Sequence, residues 1–204
     1  MSRRFTGDRL LVATHNPGKL HEFRDLFGPR GITVQGARDL GLDEPEETGS
    51  TFVDNARLKA HAAARATDLP ALADDSGLET EGLDGRPGVH SARWAGPRRD
   101  FGLAMRRLRD TLIETAGSFE WADRRAAFVA VLCLAWPDGE EIVAEGRVEG
   151  TLVDPPRGSG GFGYDPMFVP AGHDRTFAEM TPAEKAALSH RGRAIQALIA
   201  RAFG

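Results

Sequence analysis

The sequence predicts an α/β fold in a single domain. Short apolar segments that match strands alternate with segments of helical periodicity, and two long apolar segments near the middle predict a β-hairpin. A chain of 204 residues buries roughly 70% of its unfolded surface, which allows one large core or two closely joined lobes. We find no internal repeat, low-complexity tract or linker, so residues 1–204 are treated as one domain.

The N-terminal elements predict a strand-loop-helix unit followed by a second strand. Residues 9–15, RLLVATH, form a short apolar strand that ends in polar residues. Pro17 is favoured in the first turn of a helix, and apolar residues recur at helical spacing from there to Phe27. Residues 32–34 predict the second strand.

The next elements predict a capped helix and a third strand. Thr51 to Asp54 reads as a capping box that starts a helix ending at about Thr67. Residues 69–73 predict a strand that ends at a loop, residues 74–77 (Asp-Asp-Ser-Gly). Functional side chains often lie where strands of an α/β sheet end, which draws attention to this loop.

The second half predicts a helix, a long hairpin and a C-terminal helical segment. Apolar residues mark one helix face over 101–112, and residues 124–136 and 141–153 predict the two arms of the hairpin. At about 3.4 Å per residue each arm is roughly 40 Å long, enough to bridge two lobes and leave a cleft between them. A second capping box at 181–184 opens a segment with an apolar stripe that reaches Phe203.

Composition excludes several classes of protein. The formal charge of −4 argues against a general nucleic-acid binder. No apolar run approaches the ~20 residues that span a bilayer, and the N-terminus lacks the apolar core of a signal peptide. The single cysteine, Cys133, lies in an apolar strand, which predicts a small buried side chain in a reducing compartment. We therefore expect a soluble, cytoplasmic protein.

The glycine-rich segment 158–170, GSGGFGYDPMFVP, matches G-x-G-x-x-G only by letter. In a dinucleotide site that motif leads into a helix, whereas here Asp165 and a proline follow at once. Glycines also allow close approach of a flat ligand, on which Phe162 can stack while Asp165 accepts a hydrogen bond. The alternative is a glycine-rich turn with Phe162 and Tyr164 in the core.

A polar loop predicts a phosphate site. Helix N-termini and lysines bind phosphate, and both are expected in the loop formed by Thr14, His15, Asn16, Pro17, Gly18 and Lys19. The alternative is an ordinary capped turn.

Two acidic pairs predict a metal site. Carboxylates from separate segments can share a hard cation such as Mg²⁺, which takes its remaining ligands from water and substrate phosphates. The pairs are Glu46-Glu47 and Asp74-Asp75. Adjacent carboxylates after an apolar strand repel one another, and a metal relieves that repulsion. The alternative is a solvated surface, which carries more weight for Glu46-Glu47.

A basic cluster near the C-terminus contains Lys185, His190 and Arg191. On one unbroken helix these side chains point in different directions, because each residue advances the helix by 100°. A break at Ser189, with that serine capping a last helix, brings them together as donors. The alternative is a scatter of surface charges. Taken jointly, the four clusters predict a nucleotide as the ligand.

Six motifs in this order resemble the inosine triphosphate pyrophosphatase family of house-cleaning enzymes over nearly the whole chain. They are ATHNPGK, EETGSTFVDNARLKA, ALADDSGLE, PGVHSARWAG, GSGGFGYDPMFVP and EMTPAEKAALSHRG. The resemblance implies hydrolysis of dITP, ITP and XTP to the monophosphate and pyrophosphate, with Mg²⁺ as cofactor. It also implies an elongated two-lobed α/β fold around a long mixed sheet, and a homodimer.

The resemblance also assigns roles to residues. It implies that the loop from Thr14 to Lys19 binds the triphosphate together with Asn55 and Lys59. Glu46, Glu47, Asp74 and Asp75 are then the metal-site carboxylates, and Asp75 is the proton acceptor. The remaining residues implied to bind substrate are Ser76, Phe162, Gly163, Tyr164, Asp165, Lys185, His190 and Arg191.

Two rival functions remain open at this point. A nucleotide-binding sensor needs the glycine loop and the basic groups but not the acidic pairs, so those pairs favour an enzyme. A pyrophosphatase for pyrimidine or modified nucleotides, as in the structurally related septum-inhibitor family, shares the chemistry and differs in the base that it recognises.

Overall fold

A computed structural model describes residues 3–15, 17–43 and 45–203. Its strands are β1 Arg9–Val12, β2 Thr33–Gly36, β3 Ala71–Thr80, β4 Arg125–Ala135, β5 Glu141–Leu152 and β6 Phe168–Pro170. Its α-helices are α1 Pro17–Phe27, α2 Phe52–Thr67, α3 Phe101–Ala116, α4 Pro182–Leu188 and α5 His190–Ala202. The strands form one sheet in the order β2-β1-β3-β4-β5-β6. β1 is parallel to β2 and β3, and β5 is antiparallel to β6, so the predicted α/β class and mixed sheet are confirmed.

The main difference from the sequence prediction concerns β3. The prediction that the strand ends before Asp74 is wrong, because β3 continues through Asp74 and Asp75 to Thr80. Both carboxylates are buried, and their contacts with cationic and amide side chains, described below, replace the water that a loop would offer them. β1 is shorter than predicted and ends at Val12.

The chain divides into two compact units, and β3, β4 and β5 each contribute residues to both. The first unit contains Met1–Asp75, Val131–Glu145 and Ala194–Gly204. Its buried residues include Leu10, Leu11 and Val12 of β1. Phe27 and Phe203 pack with ring centroids 4.9 Å apart, which joins the end of α1 to the C-terminal segment.

The second unit contains Ser76–Ala130 and Gly146–Arg193. Leu108 and Leu112 of α3 lie in its core with aromatic side chains of β4 and β6. The glycine-rich loop packs against the backbone of Ala178, whose carbonyl accepts a 2.9 Å hydrogen bond from Gly160 N. Gly158 has φ +84°, and a Cβ there would lie 2.5 Å from the Ala178 carbonyl carbon. This close approach explains a bare backbone at Gly158.

The predicted break at Ser189 is present. α4 ends at Leu188, and the hydroxyl of Ser189 accepts a 3.0 Å hydrogen bond from Gly192 N in the first turn of α5. Thr181 and Glu184 form the predicted capping box at the start of α4. None of the helices in the described part of the chain is long and apolar enough to cross a membrane. The predicted organisation of the chain as one domain with a central cleft stays a prediction.

Candidate active site

Two polar residues on one face of α2 are buried against β3. Thr51 caps the helix, its hydroxyl accepting a hydrogen bond from Asp54 N, and Asn55 and Lys59 follow one turn apart. Asn55 Nδ2 donates to Asp75 Oδ2 at 3.0 Å. Asn55 Oδ1 accepts from Gly49 N at 2.8 Å, so both ends of the amide are held and its orientation is fixed.

Lys59 lies between two carboxylates. Its Nζ donates to Glu47 Oε1 at 2.7 Å and lies 3.8 Å from Asp75 Oδ1. Burial alone would lower the pKa of Lys59, but the charges of Asp75, Asp74 and Glu47 outweigh burial and raise it. The ammonium group is therefore kept charged inside the protein.

Asp75 has a perturbed acidity. Burial raises the pKa of its carboxyl above the ordinary value, and the neighbouring charges of Glu47 and Asp74 act in the same direction. Lys59 and the hydrogen bond from Asn55 act in the opposite direction without cancelling the rise. Since a carboxylate with a raised pKa is a stronger base, Asp75 has the properties of a proton acceptor.

The predicted phosphate loop lies beside the acidic residues of β3. Lys19, in the first turn of α1, donates to Asp74 Oδ2 at 2.6 Å. Nε2 of His15 carries a proton that it donates to the Leu42 carbonyl at 2.9 Å. Thr14 is buried and Gly18 is exposed. Asn16 and the side chain of Pro17 lie outside the described residues.

The four predicted metal-site carboxylates do not form one compact set. Among the described residues, one set of at least three His, Cys, Asp or Glu side chains has ligand atoms that all lie within 4.8 Å of one another. That set contains none of the four predicted carboxylates. Glu46 is exposed, and Glu47 is half-buried. Lys19 and Lys59 instead contact the other three, Glu47, Asp74 and Asp75. These three supply only oxygen ligands and are partly or fully buried, which suits a hard divalent cation.

The second unit holds an exposed aromatic ring beside two cations. Phe162 is 61% exposed, and Lys185 Nζ lies 4.3 Å and Arg191 Cζ 5.9 Å from its ring centroid. Asp165 is buried and accepts hydrogen bonds from Phe162 N, at 2.7 Å, and from Lys185 Nζ. Asp165 therefore fixes both the loop and the lysine.

The structure distinguishes the two aromatic residues of the glycine loop. Tyr164 is buried in the core, its hydroxyl donates to the Ser91 carbonyl at 3.0 Å, and its ring meets Phe101 edge-on. Tyr164 is therefore a core aromatic, as the alternative interpretation of the glycine-rich segment predicted. Phe162 instead presents its ring to solvent. Gly163, between them, has φ +68°.

The remaining residues predicted to bind substrate are His190, Arg191 and Ser76. His190 is buried at the start of α5 and stacks on Phe128, with ring centroids 4.9 Å apart and an interplanar angle of 11°. Arg191 is also buried. Ser76 lies half-buried in β3, directly after Asp75.

Comparison with known proteins places the chain in a family. The model of the Ham1 family matches residues 10–201, nearly the whole chain. The chain belongs to the Ham1 family. The predicted resemblance is thereby confirmed, since Ham1 relatives carry the name dITP/XTP pyrophosphatase. The relative from Bradyrhizobium sp. is 56% identical over 200 residues, covering 95% of this chain and 93% of that protein. The relative from Ruegeria pomeroyi is 55% identical over 206 residues, covering 100% of both.

Solved Ham1 structures have the same fold. The Ham1 protein of Staphylococcus aureus gives a TM-score of 0.85 at 39% identity, covering 94% of this chain and 96% of that chain. The Ham1 protein of Coxiella burnetii gives 0.87 at 40% identity, covering 93% and 95%.

Sequence reasoning missed two residues, each of which holds a predicted site residue in place within its own unit. Gly49 fixes the amide of Asn55, and a Cβ at Gly49 would lie 2.6 Å from Asn55 Oδ1. Phe128 supports the ring of His190. Gly49 lies in the motif EETGST, which could have indicated its role. Phe128 lies in a uniformly apolar strand, and nothing in that pattern indicates contact with a histidine.

Proposed function

We propose that this Ham1 protein hydrolyses dITP, ITP and XTP to the monophosphate and pyrophosphate, and so keeps deaminated purine nucleotides out of nucleic acids. It is a nucleoside triphosphate diphosphatase. The relatives named dITP/XTP pyrophosphatase, which align over nearly all of the chain, support the reaction and the substrate class. The structural observation that carries the mechanism is Asp75, buried with a raised pKa between Asn55 and Lys59.

The proposed reaction is attack of water on the α-phosphorus. A bond forms between the water oxygen and the α-phosphorus, the bond from that phosphorus to the oxygen bridging to the β-phosphorus breaks, and pyrophosphate leaves with the bonding electrons. Asp75 accepts the proton of the water. Asn55 orients this carboxylate through its hydrogen bond to Oδ2.

Lys19 and Lys59 compensate the charge of the triphosphate. In the structure each lysine contacts carboxylates, and in the proposed complex phosphate oxygens join or replace these partners. Fixed positive groups stabilise the negative charge that grows on a departing pyrophosphate. We propose that the segment from Thr14 to Lys19, which leads into α1, holds the phosphate chain.

We propose Mg²⁺ as the cofactor, with Glu46, Glu47, Asp74 and Asp75 as the carboxylates that would hold or position it. The all-oxygen donor set described above fits this cation, which usually binds one or two carboxylates together with substrate phosphates. What the cation supplies when bound is positive charge beside the transferring phosphoryl group.

Base selection is proposed to lie in the second unit. Phe162 stacks on the purine, and Lys185, His190 and Arg191 supply donors for the oxygen at position 6 of hypoxanthine and xanthine. Adenine has an amino group there, and each buried donor left facing it costs about 1–3 kcal/mol. We further propose that Ser76 and residues 162–165, which all belong to the second unit, complete the nucleoside site.

We also propose that the protein is a cytoplasmic homodimer, which binds neither membranes nor nucleic acid. The net charge of −4 argues against nucleic-acid binding, and the single cysteine fits a reducing compartment. The homodimer rests on the family resemblance. Light scattering coupled to size-exclusion chromatography tests the dimer.

The test of function is a phosphate-release panel. Purified protein and Mg²⁺ are incubated with each triphosphate in the presence and absence of inorganic pyrophosphatase. We expect rapid turnover of dITP, ITP and XTP, and phosphate release only with pyrophosphatase. Efficient hydrolysis of ATP, or a preference for pyrimidine nucleotides, contradicts the proposed selectivity, and absence of hydrolysis favours a sensor.

A further inference from the structure

A second group of metal-ligating side chains lies apart from the residues assigned to catalysis. His61 of α2, Cys133 of β4 and Glu141 at the start of β5 place their ligand atoms within 4.8 Å of one another. His61 Nε2 lies 2.9 Å from Glu141 Oε2, and Cys133 Sγ lies 3.8 Å from the same oxygen. All three residues belong to the first unit and project from regular elements.

The spacing of these atoms is close to that of a tetrahedral zinc site. With Zn–N and Zn–O bonds of about 2.0–2.1 Å and a Zn–S bond of about 2.3 Å, tetrahedral angles separate N from O by about 3.3 Å and S from O by about 3.6 Å. The observed 2.9 and 3.8 Å differ from these values by a few tenths of an ångström. These two separations are therefore close to those that a bound ion needs, and the third pair, His61 and Cys133, lies within 4.8 Å.

Arg57 prepares Glu141 for this role. Its guanidinium contacts Oε1 at 2.6 Å, which leaves Oε2 facing His61 and Cys133. Burial alone would raise the pKa of Glu141, but the hydrogen bonds from His61 and Arg57 outweigh burial and hold it below the ordinary value. Outer partners that orient a ligating carboxylate are a regular feature of metal sites.

The site has an approach from solvent. An open pocket of about 500 Å³ lies over this part of α2, and its lining residues are Asp54, Arg57, Leu58, His61, Arg65 and Gly139. Of the three proposed ligands, His61 lines this pocket, which gives an ion access to the site from that side. Cys133 is fully buried, and its thiol must lose its proton for the ion to bind.

We propose that His61, Cys133 and Glu141 bind a transition-metal ion of the zinc class. A donor set of nitrogen, sulfur and oxygen selects such ions over Mg²⁺, which prefers oxygen alone. The site is independent of the proposed catalytic one, because His61 is 200° around α2 from Lys59 and therefore on the opposite helix face. The ion ties α2 to β4 and β5 and so stabilises the helix that carries Asn55 and Lys59.

Cobalt spectroscopy tests this proposal directly. The metal-free full chain is titrated with Co²⁺ in excess Mg²⁺, which occupies the oxygen-only sites. Because the chain has one cysteine, a thiolate-to-cobalt charge-transfer band in the near ultraviolet reports Cys133 alone. We expect the band to saturate at one ion per chain and to disappear when Zn²⁺ is added. No band in the wild-type chain overturns the proposal.

Variants separate this site from chance binding. Cys133→Ser should abolish the band, and His61→Ala, which keeps the thiol, should weaken Co²⁺ binding at least about tenfold. His21→Ala is the matched control, because His21 is an exposed helix histidine paired with Asp25, and it should bind like wild type. Zn²⁺ should raise the melting temperature of wild type but not of His61→Ala. Unchanged affinity in His61→Ala overturns the three-ligand site even if Cys133→Ser fails to fold.

Discussion

Replacing Asp75 with asparagine should separate catalysis from binding. The substitution keeps the size of the side chain, and the new amide oxygen can still accept the 3.0 Å hydrogen bond from Asn55. It removes the proton acceptor and the negative charge 3.8 Å from Lys59. A positioned general base contributes about 10²–10⁴ to rate, so kcat should fall by this factor, equivalent to about 2.7–5.5 kcal/mol of activation free energy.

Affinity for the nucleotide should be retained in the same variant. Lys59 loses one competing carboxylate, so its charge is more available to the triphosphate. The assay pairs kcat for ITP, from coupled phosphate release, with the Kd of an α,β-methylene ITP analogue from calorimetry. Asp68→Asn is the control, because Asp68 is exposed at the end of α2. Equal losses in kcat and affinity would refute the assignment of Asp75 as base.

Without divalent cations, Asp75→Asn should be more stable than wild type above the ordinary aspartate pKa of 3.8. The difference in stability should grow as pH rises through the raised pKa of the folded protein, because the native carboxyl of wild type keeps its proton to a higher pH than the unfolded one. Thermal denaturation across pH measures this, and a difference that shrinks with pH contradicts it. Phe162→Ala should weaken ITP binding by about 1–3 kcal/mol, roughly 5- to 150-fold, through lost stacking, whereas Trp121→Ala, at an 82% exposed ring, should leave the Kd unchanged. Similar Kd values for both would exclude stacking on Phe162. In urea unfolding, Gly161→Ala should destabilise the protein more than Gly172→Ala. Both glycines have positive φ, which costs an alanine about 1–2 kcal/mol. Of the two, only Gly161 has another atom close to the new Cβ, since Asp165 Oδ2 would lie 2.2 Å away. Equal losses would show that the loop relaxes around the new methyl group.

Local patterns determine much of the fold. The sequence predicts three local features correctly: the cap at Thr51, the capping box at Thr181 and the break at Ser189. Each depends on residues within four positions of one another. The length of β3 was not readable. Adjacent aspartates usually end a strand, and only contacts with distant residues allow Asp74 and Asp75 to stay within the sheet.

The site shows the same division between local and distant information. The sequence predicts Lys19 and the pair Asp74-Asp75 as site residues. The contact between Lys19 and Asp74 joins positions 55 residues apart, so it depends on the tertiary fold. Tyr164 and Phe162 were equivalent in the sequence, and packing against Ser91 and Phe101 separates them. The burial of Cys133 was predicted from its apolar strand, whereas its neighbour His61, on another element, carried no signal in the sequence.

Hydrolysis of ITP in ¹⁸O-labelled water, followed by ³¹P NMR, tests the proposed reaction most directly. Attack at the α-phosphorus predicts that one labelled oxygen enters IMP and that pyrophosphate stays unlabelled. Label in pyrophosphate, or release of orthophosphate without added pyrophosphatase, would show that water attacks a different phosphorus.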